Sequence, residues 1–238
     1  MPRLLALLLL LATACTTTGR HDPAPATTMP DTTPLISGPI PYLALGDSYT
    51  IGEGVSKPAD RWPNQLAVLA RAQGWLVSQP EIIAQTGWTT TELQAAIQAS
   101  RNTRTDYGLV SLLIGVNDQY RGWSVSGYRT HFRQLLKQAV TFAGERPGRV
   151  LVLSIPDWGQ APFASGSDRV RIAQQIDLFN AAALDECQQQ GVAFVNITPL
   201  TRTAGADPTQ FTPDGLHYTG ASMAPWAQRA FAEVKQMK

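Results

Sequence analysis

The stretch Tyr42-Leu43-Ala44-Leu45-Gly46-Asp47-Ser48-Tyr49-Thr50 decides how the rest of this sequence is interpreted. An apolar run ends at Gly46, and a polar Asp47-Ser48 step follows it at once. A buried strand that stops in a small, serine-bearing turn is typical of the carboxyl edge of an α/β sheet, where such folds place their functional groups. The stretch therefore predicts a first strand with Ser48 as a candidate nucleophile at its end.

Strand and helix patterns alternate along the rest of the chain. Short apolar runs predict five strands, at residues 42–45, within 75–84 (81–84 in particular), and at 107–114, 149–155 and 192–197. Apolar residues at helical spacing predict helices between them, after Asp60, after Thr89, and over about 125–140, 168–190 and 219–234. This alternation favours an α/β fold with one five-stranded parallel sheet covered by helices on both faces.

Three local signals refine the helix ends. Asp60 is expected to cap the helix that opens with Pro63, because Asp is a preferred capping residue and Pro is tolerated in a first turn. Thr89 and Glu92 are three residues apart and predict a capping box. Pro225 either lies in the first turn of a late-starting last helix or kinks that helix.

Length and composition are those of one globular domain with short additions. The chain has 238 residues and is 44% apolar, which is enough for a sizeable core. A net charge of +1 gives no indication of a nucleic-acid partner. The two cysteines, Cys15 and Cys187, lie in unrelated contexts and predict no disulfide. Cys187 falls on the apolar face of a predicted helix, so we expect it to be buried and unreactive.

The first fifteen residues have the features of a targeting segment. Arg3 precedes an apolar run over residues 4–11 that is too short to span a bilayer. The following Ala12-Thr13-Ala14-Cys15 resembles a bacterial lipobox, in which the cysteine becomes the lipidated N-terminus; a plain signal peptide cleaved near Ala14 is the alternative. Both interpretations predict an exported protein. The first predicts a lipid anchor at Cys15, in the periplasm or at the cell surface.

Residues 16–39 separate this segment from the predicted domain. They are rich in Thr, Pro and Ala and show no apolar periodicity, which predicts a disordered tether. The folded domain is expected to cover residues 40–238, without an internal repeat or a second domain.

The ends of the predicted strands offer the groups needed for acyl transfer. Ser48 follows the first strand, Gly87 the second and Asn117 the third, and Asp214-Gly215-Leu216-His217 comes after the fifth. A serine hydroxyl needs a base, and His217 is the candidate, with Asp214 three residues before it to orient the imidazole. The backbone N–H groups of Ser48 and Gly87 and the side-chain amide of Asn117 are candidate donors to an oxyanion.

These residues lie in four blocks: Gly46-Asp47-Ser48, Gly87, Gly115-Val116-Asn117-Asp118 and Asp214-Gly215-Leu216-His217. In order and spacing they resemble the blocks of the SGNH (GDSL-type) hydrolases, and the resemblance covers the whole predicted domain. It implies a three-layer α/β/α, flavodoxin-like fold and a Ser-His-Asp triad that needs no metal or cofactor. It also implies an oxyanion hole built from the serine, the glycine and the asparagine.

Each of these residues also has a purely structural interpretation. Ser48 is a possible helix cap, Asn117 a possible turn residue, and Asp214 part of a Pro-Asp-Gly turn signal. His217 could be a surface histidine, but it has an aspartate at close spacing, whereas His131 has no carboxylate within the four preceding positions. Asp47 and Asp118 are both interpreted as structural supports.

Six aromatic residues lie beside the blocks or after strand ends and are candidates to contact a ligand. About half of them are expected to do so and the others to pack loops onto the core. Trp88 and Tyr218 are preferred because they adjoin block residues. The six are Trp88, Tyr120, Trp123, Trp158, Phe163 and Tyr218.

The sequence thus predicts an exported serine esterase that acts on a small-molecule, glycan or lipid ester, with contact to a membrane only through its lipid anchor. Carbohydrate O-deacetylase, thioesterase or lysophospholipase, and acyltransferase remain alternatives on the same fold. A binding lipoprotein without catalytic activity is the alternative from a different class.

Overall fold

The computed structural model describes residues 38–236. The predicted targeting segment at residues 1–15, including Cys15, and nearly all of the tether at 16–39 lie outside the described residues. Ile40, where the domain is predicted to begin, is buried and forms a parallel bridge with Val77.

The centre of the fold is a five-stranded sheet in which every neighbouring pair of strands is parallel. The order β2-β1-β3-β4-β5 is the flavodoxin-like order, in which the chain reverses direction across the sheet between β1 and β3. The α/β prediction with five parallel strands is therefore confirmed. The strands are β1 (Tyr42–Gly46), β2 (Glu81–Ala84), β3 (Leu109–Leu113), β4 (Val150–Leu153) and β5 (Ala193–Val195).

Each strand is followed by one or more helices, and the alternation is as predicted. In the described part of the chain the α-helices are α1 (Ser48–Ile51), α2 (Trp62–Ala72), α3 (Thr90–Ser100), α4 (Val116–Tyr120), α5 (Val125–Phe142), α6 (Arg169–Gln190), α7 (Thr198–Ala204) and α8 (Gly220–Val234). Helix α2 packs against α8, while α5 packs against α3 and α6. Every residue of β1, β3 and β4 is buried, which requires that both faces of the sheet are covered.

The register of the three neighbouring strands determines where the site forms. Gly46 at the end of β1 pairs with Ala84 of β2 on one side and with Leu113 of β3 on the other. The three strands therefore end at the same level of the sheet. The segments that follow them, which carry Ser48, Gly87 and Asn117, are brought to one edge.

The second strand is shorter than its predicted window of residues 75–84. Only Glu81–Ala84 forms a strand, and Val77 makes an isolated bridge with Ile40. Pro80 lies between these two segments and has no N–H to give to a neighbouring strand, which explains the interruption. This strand is also only partly buried, as expected at the edge of a sheet.

The helix ends confirm some of the local predictions and correct one. The capping box of Thr89 and Glu92 is present with both of its reciprocal hydrogen bonds. Asp60 does not cap α2: it belongs to a 3₁₀ turn over Pro58–Asp60, and Arg61 holds the cap position without a side-chain hydrogen bond. Helix α8 begins at Gly220, so Pro225 lies inside it rather than in its first turn.

Candidate active site

Ser48 is the first residue of α1, directly after the turn that ends β1. Asp47 caps this short helix, because its Oδ1 accepts the N–H of Tyr49 at 3.0 Å. The expected structural role of Asp47 is therefore confirmed, and the cap is Asp47 rather than Ser48.

The N–H of Ser48 has no acceptor among the described protein atoms, as expected for the first N–H of a helix. The hydroxyl of Ser48 likewise makes no hydrogen bond within residues 38–236 and is open to a ligand.

The turn into Ser48 is possible only because residue 46 has no side chain. A Cβ at Gly46 would lie 2.1 Å from Oγ1 of Thr50 and 2.5 Å from the carbonyl oxygen of Leu113. The backbone atoms of β3 cannot move away without breaking the sheet. Gly46 therefore allows α1 to fold back closely over the end of β1.

Gly87 lies in the loop between β2 and α3, with a φ of 83° that favours glycine. Its N–H has no protein acceptor in the described part of the chain. Its carbonyl oxygen accepts a hydrogen bond of 2.6 Å from Nη2 of Arg121.

Asn117 lies in the first turn of α4, directly after β3. Its Nδ2 donates to the carbonyl oxygen of Trp88 at 2.9 Å. A side-chain amide carries two N–H donors, so one is left for a ligand. Gly115 starts this turn with a φ of 126°, and a Cβ there would lie 2.5 Å from the ring of Tyr128.

Asp214 and His217 form a hydrogen-bonded pair in the loop before α8. Oδ2 of Asp214 lies 2.6 Å from Nδ1 of His217. The other oxygen, Oδ1, accepts the N–H groups of Leu216 and His217 at 2.8 and 3.0 Å and the hydroxyl of Thr212 at 2.9 Å. Partial burial alone would raise the pKa of Asp214, but these hydrogen bonds outweigh it and lower the pKa to about 2. The carboxylate therefore stays ionised and holds the imidazole in one orientation.

These groups meet at one cavity of about 170 Å³. Ser48, Gly87, Asn117 and His217 all line it, and Asp214 lies behind His217. The other lining residues are Tyr49, Thr86, Val116, Tyr120, Trp158, Phe163 and Leu216. The structure thus brings together the five predicted block residues, although they come from four separate parts of the chain.

One wall of the cavity is aromatic. The rings of Tyr120 and Trp158 meet edge-to-face with centroids 5.2 Å apart, and the rings of Trp158 and Phe163 lie 6.3 Å apart. Nε1 of Trp158 donates to Oε1 of Gln119 at 2.7 Å, which fixes the orientation of the indole. Three of the six candidate aromatic residues therefore line the cavity.

The two preferred aromatic residues, Trp88 and Tyr218, do not line this cavity, which corrects the prediction. Tyr218 is buried and packs against Tyr49, Phe211 and Trp226. Trp88 is half-buried against the hydrophobic core. Adjacency in sequence to Gly87 and His217 did not predict the side to which these rings point, because successive side chains in extended segments face opposite ways.

Four lining residues were not singled out from the sequence. Tyr49 and Thr86 each adjoin a block, and Val116 and Leu216 lie inside two of the blocks. A position in or beside a block is the signal that could have found them. The same signal also selected Trp88 and Tyr218, so it is not specific.

Two carboxyl groups are buried beneath the site. Asp118 accepts the N–H and the hydroxyl of Thr90 at 3.0 and 2.5 Å, which joins α4 to α3. Asp47 is fully buried, and its Oδ2 has no partner among the described residues. Burial, with a smaller contribution from the neighbouring carboxylate of Asp118, raises the pKa of Asp47 to about 8. Both groups support the fold around the site and do not line the cavity.

Three further findings concern groups outside the cavity. No three His, Cys, Asp or Glu side chains within residues 38–236 come together in a way that could bind a metal ion. In the same residues, no helix has the length and apolar character needed to cross a membrane. Cys187 is buried, and burial raises the pKa of its thiol to about 12, which agrees with the predicted unreactive role.

A parallel α/β sheet that presents a serine, a His–Asp pair and free N–H donors at one cavity is the arrangement that serine hydrolases use. A family model for the GDSL-like lipase/acylhydrolase family matches residues 44–224. The chain therefore belongs to this family, whose members are carboxylic ester hydrolases. No curated protein sequence matches the chain.

Solved structures support the same fold. The crystal structure of TesA has a TM-score of 0.64 and 20% identity, covering 83% of this chain and 99% of TesA. An acetylxylan esterase from Geobacillus stearothermophilus has a TM-score of 0.63 and 16% identity, covering 82% and 94%. A phospholipase A1 from Streptomyces albidoflavus has a TM-score of 0.57 and 18% identity, covering 84% and 99%. At these identities the similarity establishes the fold, which is the fold that the four sequence blocks implied.

Proposed function

We propose that this protein is a serine esterase that hydrolyses carboxylic esters through an acyl-enzyme on Ser48. The observation that carries the proposal is that Ser48, the Asp214–His217 pair and three free donors converge on one cavity. His217 is the general base, Asp214 orients it, and Ser48 is the nucleophile.

In the first half of the reaction, Nε2 of His217 takes the proton of the Ser48 hydroxyl while the serine oxygen attacks the ester carbonyl carbon. Nδ1 is engaged by Asp214, so Nε2 is the nitrogen left for this task. The Ser48 hydroxyl has no hydrogen bond within the described structure, so Ser48 and His217 must approach each other when substrate binds. Hydrogen bonds between catalytic groups are often long in the absence of substrate. The C–O bond to the alcohol then breaks, and His217 gives the proton to the departing oxygen.

The negative charge that develops on the carbonyl oxygen requires donors. The N–H groups of Ser48 and Gly87 and the free N–H of Asn117 Nδ2 supply them. Such donors are fixed before the reaction, so each is worth about 3 kcal/mol of transition-state stabilisation. In the second half, a water molecule loses a proton to His217 and attacks the acyl carbon. The bond between the acyl carbon and the Ser48 oxygen then breaks, His217 returns the proton to that oxygen, and the acid leaves.

The cavity supports a short acyl group as the preferred substrate. Its volume of about 170 Å³ is below the range of roughly 300–1,000 Å³ that accommodates drug-sized ligands. Apolar side chains, including Val116, Trp158 and Leu216, form much of its lining and favour a hydrocarbon chain over a charged group.

Carbohydrate O-deacetylase is the second candidate, and the aromatic wall favours it. Tyr120 and Phe163 are about half exposed at the cavity while they contact the ring of Trp158. Exposed aromatic faces of this kind are suited to stack against the apolar face of a sugar ring. Thioesterase or lysophospholipase activity and acyl transfer to an alcohol acceptor use the same chemistry. A non-catalytic binding lipoprotein remains the alternative from another class.

We also propose that the protein is exported and anchored by a lipid on Cys15. The support is the sequence pattern of residues 1–15, together with the Thr-, Pro- and Ala-rich residues 16–39 before the domain. Mass spectrometry of protein extracted from membranes tests it. A diacylglycerol-modified Cys15 at the mature N-terminus is expected, and an unmodified Cys15 or a cleavage site beyond it would contradict the anchor.

A rate series tests the proposed activity. The domain from Ile40 onward is given p-nitrophenyl esters of increasing acyl length, acetylated polysaccharides and an acceptor alcohol in parallel. The expected result is hydrolysis that is fastest for short acyl chains and is lost in Ser48→Ala. No turnover of any ester by the folded domain would support the binding lipoprotein. Acyl transfer mainly to the added alcohol would support an acyltransferase.

A further inference from the structure

The three segments that carry the proposed oxyanion donors are tied to one another by side chains outside the reacting groups. Arg121 is the central one. It is the residue that ends α4, and its N–H donates to the carbonyl oxygen of Asn117 at 3.0 Å. Its Nη2 donates to the carbonyl oxygen of Gly87 at 2.6 Å, and its Nη1 to Oε1 of Glu92 at 3.2 Å. Arg121 therefore bonds to the backbone of two donor residues and to the helix that follows one of them.

The space beside the Gly87 Cα is almost empty, so packing alone does not fix this residue. Within residues 38–236, and apart from its chain neighbours, only Nη2 of Arg121 lies within 4 Å of where a Cβ would be, at 3.9 Å. A glycine with a φ of 83° and open space around it can rotate its peptide planes at low energetic cost. The N–H of Gly87 belongs to the Thr86–Gly87 peptide and its carbonyl to the Gly87–Trp88 peptide, so the direction of the N–H depends on how both peptide planes are held.

The residue before Gly87 is tied to the nucleophile in the same manner. The hydroxyl of Thr86 donates to Oε2 of Glu53, and the N–H of Glu53 donates to the carbonyl oxygen of Ser48 at 2.9 Å. The loop is thus held from the Ser48 side by Glu53 and from the Asn117 side by Arg121. Both side chains are polar groups that belong neither to the cavity lining nor to the hydrophobic core.

We infer that Arg121 is a positioning residue of the oxyanion hole. Its hydrogen bond to the Gly87 carbonyl oxygen fixes the Gly87–Trp88 peptide, and this limits the rotation of Gly87 that would turn its N–H away from the developing oxyanion. This inference rests on the proposed esterase mechanism. Hydrogen-bond donors help the reaction only when they are aimed at the charge in advance, so a loose Gly87 loses much of its contribution. The effect belongs to the transition state and is expected in kcat rather than in KM.

Arg121→Met and Arg121→Lys test the inference, with Arg104→Met as the matched control. Arg104 is also an exposed arginine paired with carboxylates, at Glu81 and Asp106, but its side chain makes no hydrogen bond to Gly87 or Asn117. The measurements are kcat and KM for p-nitrophenyl butyrate and the affinity for a trifluoromethyl ketone, which forms a tetrahedral adduct with serine. Thermal unfolding of each variant checks the fold.

We expect Arg121→Met to lower kcat about 10- to 100-fold, less than the loss of a donor itself, while KM stays within about threefold. The affinity for the ketone should fall in proportion to kcat/KM. Arg121→Lys should recover part of kcat, since an ammonium group can still donate to the Gly87 carbonyl. Arg104→Met should match the wild type.

Two results would overturn the inference. Wild-type kcat in Arg121→Met would show that Gly87 is held without the guanidinium. A raised KM with unchanged kcat would make Arg121 a contact of the bound substrate instead. If Arg121→Met does not fold, Arg121→Lys decides alone: a reduced kcat supports the inference, and a wild-type kcat overturns it.

Ser48→Ala, measured in parallel, separates the two proposals. Turnover in Ser48→Ala contradicts the esterase mechanism itself. An inactive Ser48→Ala beside an unaffected Arg121→Met contradicts only the role of Arg121.

Discussion

Oδ2 of Asp214 lies 2.6 Å from Nδ1 of His217, while Oδ1 of the same carboxylate accepts two backbone N–H groups of its own loop. The aspartate is therefore fixed on one side by the backbone and on the other side fixes the imidazole. This geometry leaves Nε2 of His217 facing the cavity that Ser48 lines.

Asp214→Asn should lower kcat by about three to four orders of magnitude, because an amide favours the wrong tautomer of His217 and does not stabilise its protonated form. Steady-state kinetics on a short-chain ester measure the effect. Asp207→Asn is the control, since Asp207 caps a nearby turn but does not line the cavity. Near-normal kcat in Asp214→Asn would remove Asp214 from the mechanism.

Asn117→Ala should lower kcat about 100- to 1,000-fold with little change in KM, because the amide donates mainly to the transition state. Part of any loss in stability comes from the hydrogen bond to the Trp88 carbonyl, so unfolding is measured alongside. Asn102→Ala, which removes a hydrogen bond to Tyr107 away from the cavity, serves as the control. A change confined to KM would contradict the oxyanion role.

The buried carboxyl of Asp47 should make the domain less stable as pH rises. Its pKa is raised from 3.8 to about 8 in the folded state, so between these values the folded chain keeps a proton that the unfolded chain releases. The resulting slope is up to about 1.4 kcal/mol per pH unit in the free energy of unfolding. Urea unfolding at several pH values should show a flatter slope for Asp47→Asn than for the wild type. Equal slopes would mean that Asp47 does not hold the proton; the pKa of Asp118 is also raised by burial, so Asp118 would be the group to examine.

Gly46→Ala should prevent the close turn of α1 over β1. The added methyl group would meet the Leu113 carbonyl oxygen at 2.5 Å, and we expect destabilisation of about 3 kcal/mol or more. Gly148→Ala is the matched control, because a Cβ there meets no atom within 4 Å. Thermal unfolding compares the two variants. Equal stability would show that the sheet edge adapts to the methyl group.

Trp158→Leu should shift the preference toward longer acyl chains, because it shortens one wall of the cavity. We expect the ratio of kcat/KM for octanoate over butyrate esters to rise about tenfold. Trp123→Leu, which changes a tryptophan that does not line the cavity, should leave the ratio unchanged. An unchanged ratio in Trp158→Leu would place the acyl chain elsewhere.

The sequence was sufficient to predict the sheet and the positions of the block residues near its carboxyl edge, because both predictions depend on local patterns. The apolar run that ends at Gly46 and the capping box at Thr89 are local signals, and the structure agrees with both. The part of the second strand that the sequence favoured most, residues 81–84, is β2 itself, while the wider window of 75–84 was too long because Pro80 interrupts it. Asp60 has the right chemistry for a cap, but the chain enters α2 one residue later through a 3₁₀ turn.

The cavity wall was harder to predict, since it depends on which way each ring points in three dimensions. Tyr218 follows His217 directly, yet its ring points into the core against Trp226. Trp158 is far from Asn117 in sequence, yet Gln119 holds its indole at the cavity. Arg121 carried no signal at all, because its role depends on a hydrogen bond to a backbone carbonyl of a distant loop.

The most direct test of the central claim is the site of covalent labelling by a fluorophosphonate, which reacts with an activated serine. The wild-type domain is labelled, digested and examined by mass spectrometry while esterase activity is followed. We predict one phosphonyl group per chain, located on Ser48, with activity lost in step with labelling and no labelling of Ser48→Ala. An adduct on another residue, or ester hydrolysis that persists in Ser48→Ala, would contradict the assignment of Ser48 as the nucleophile.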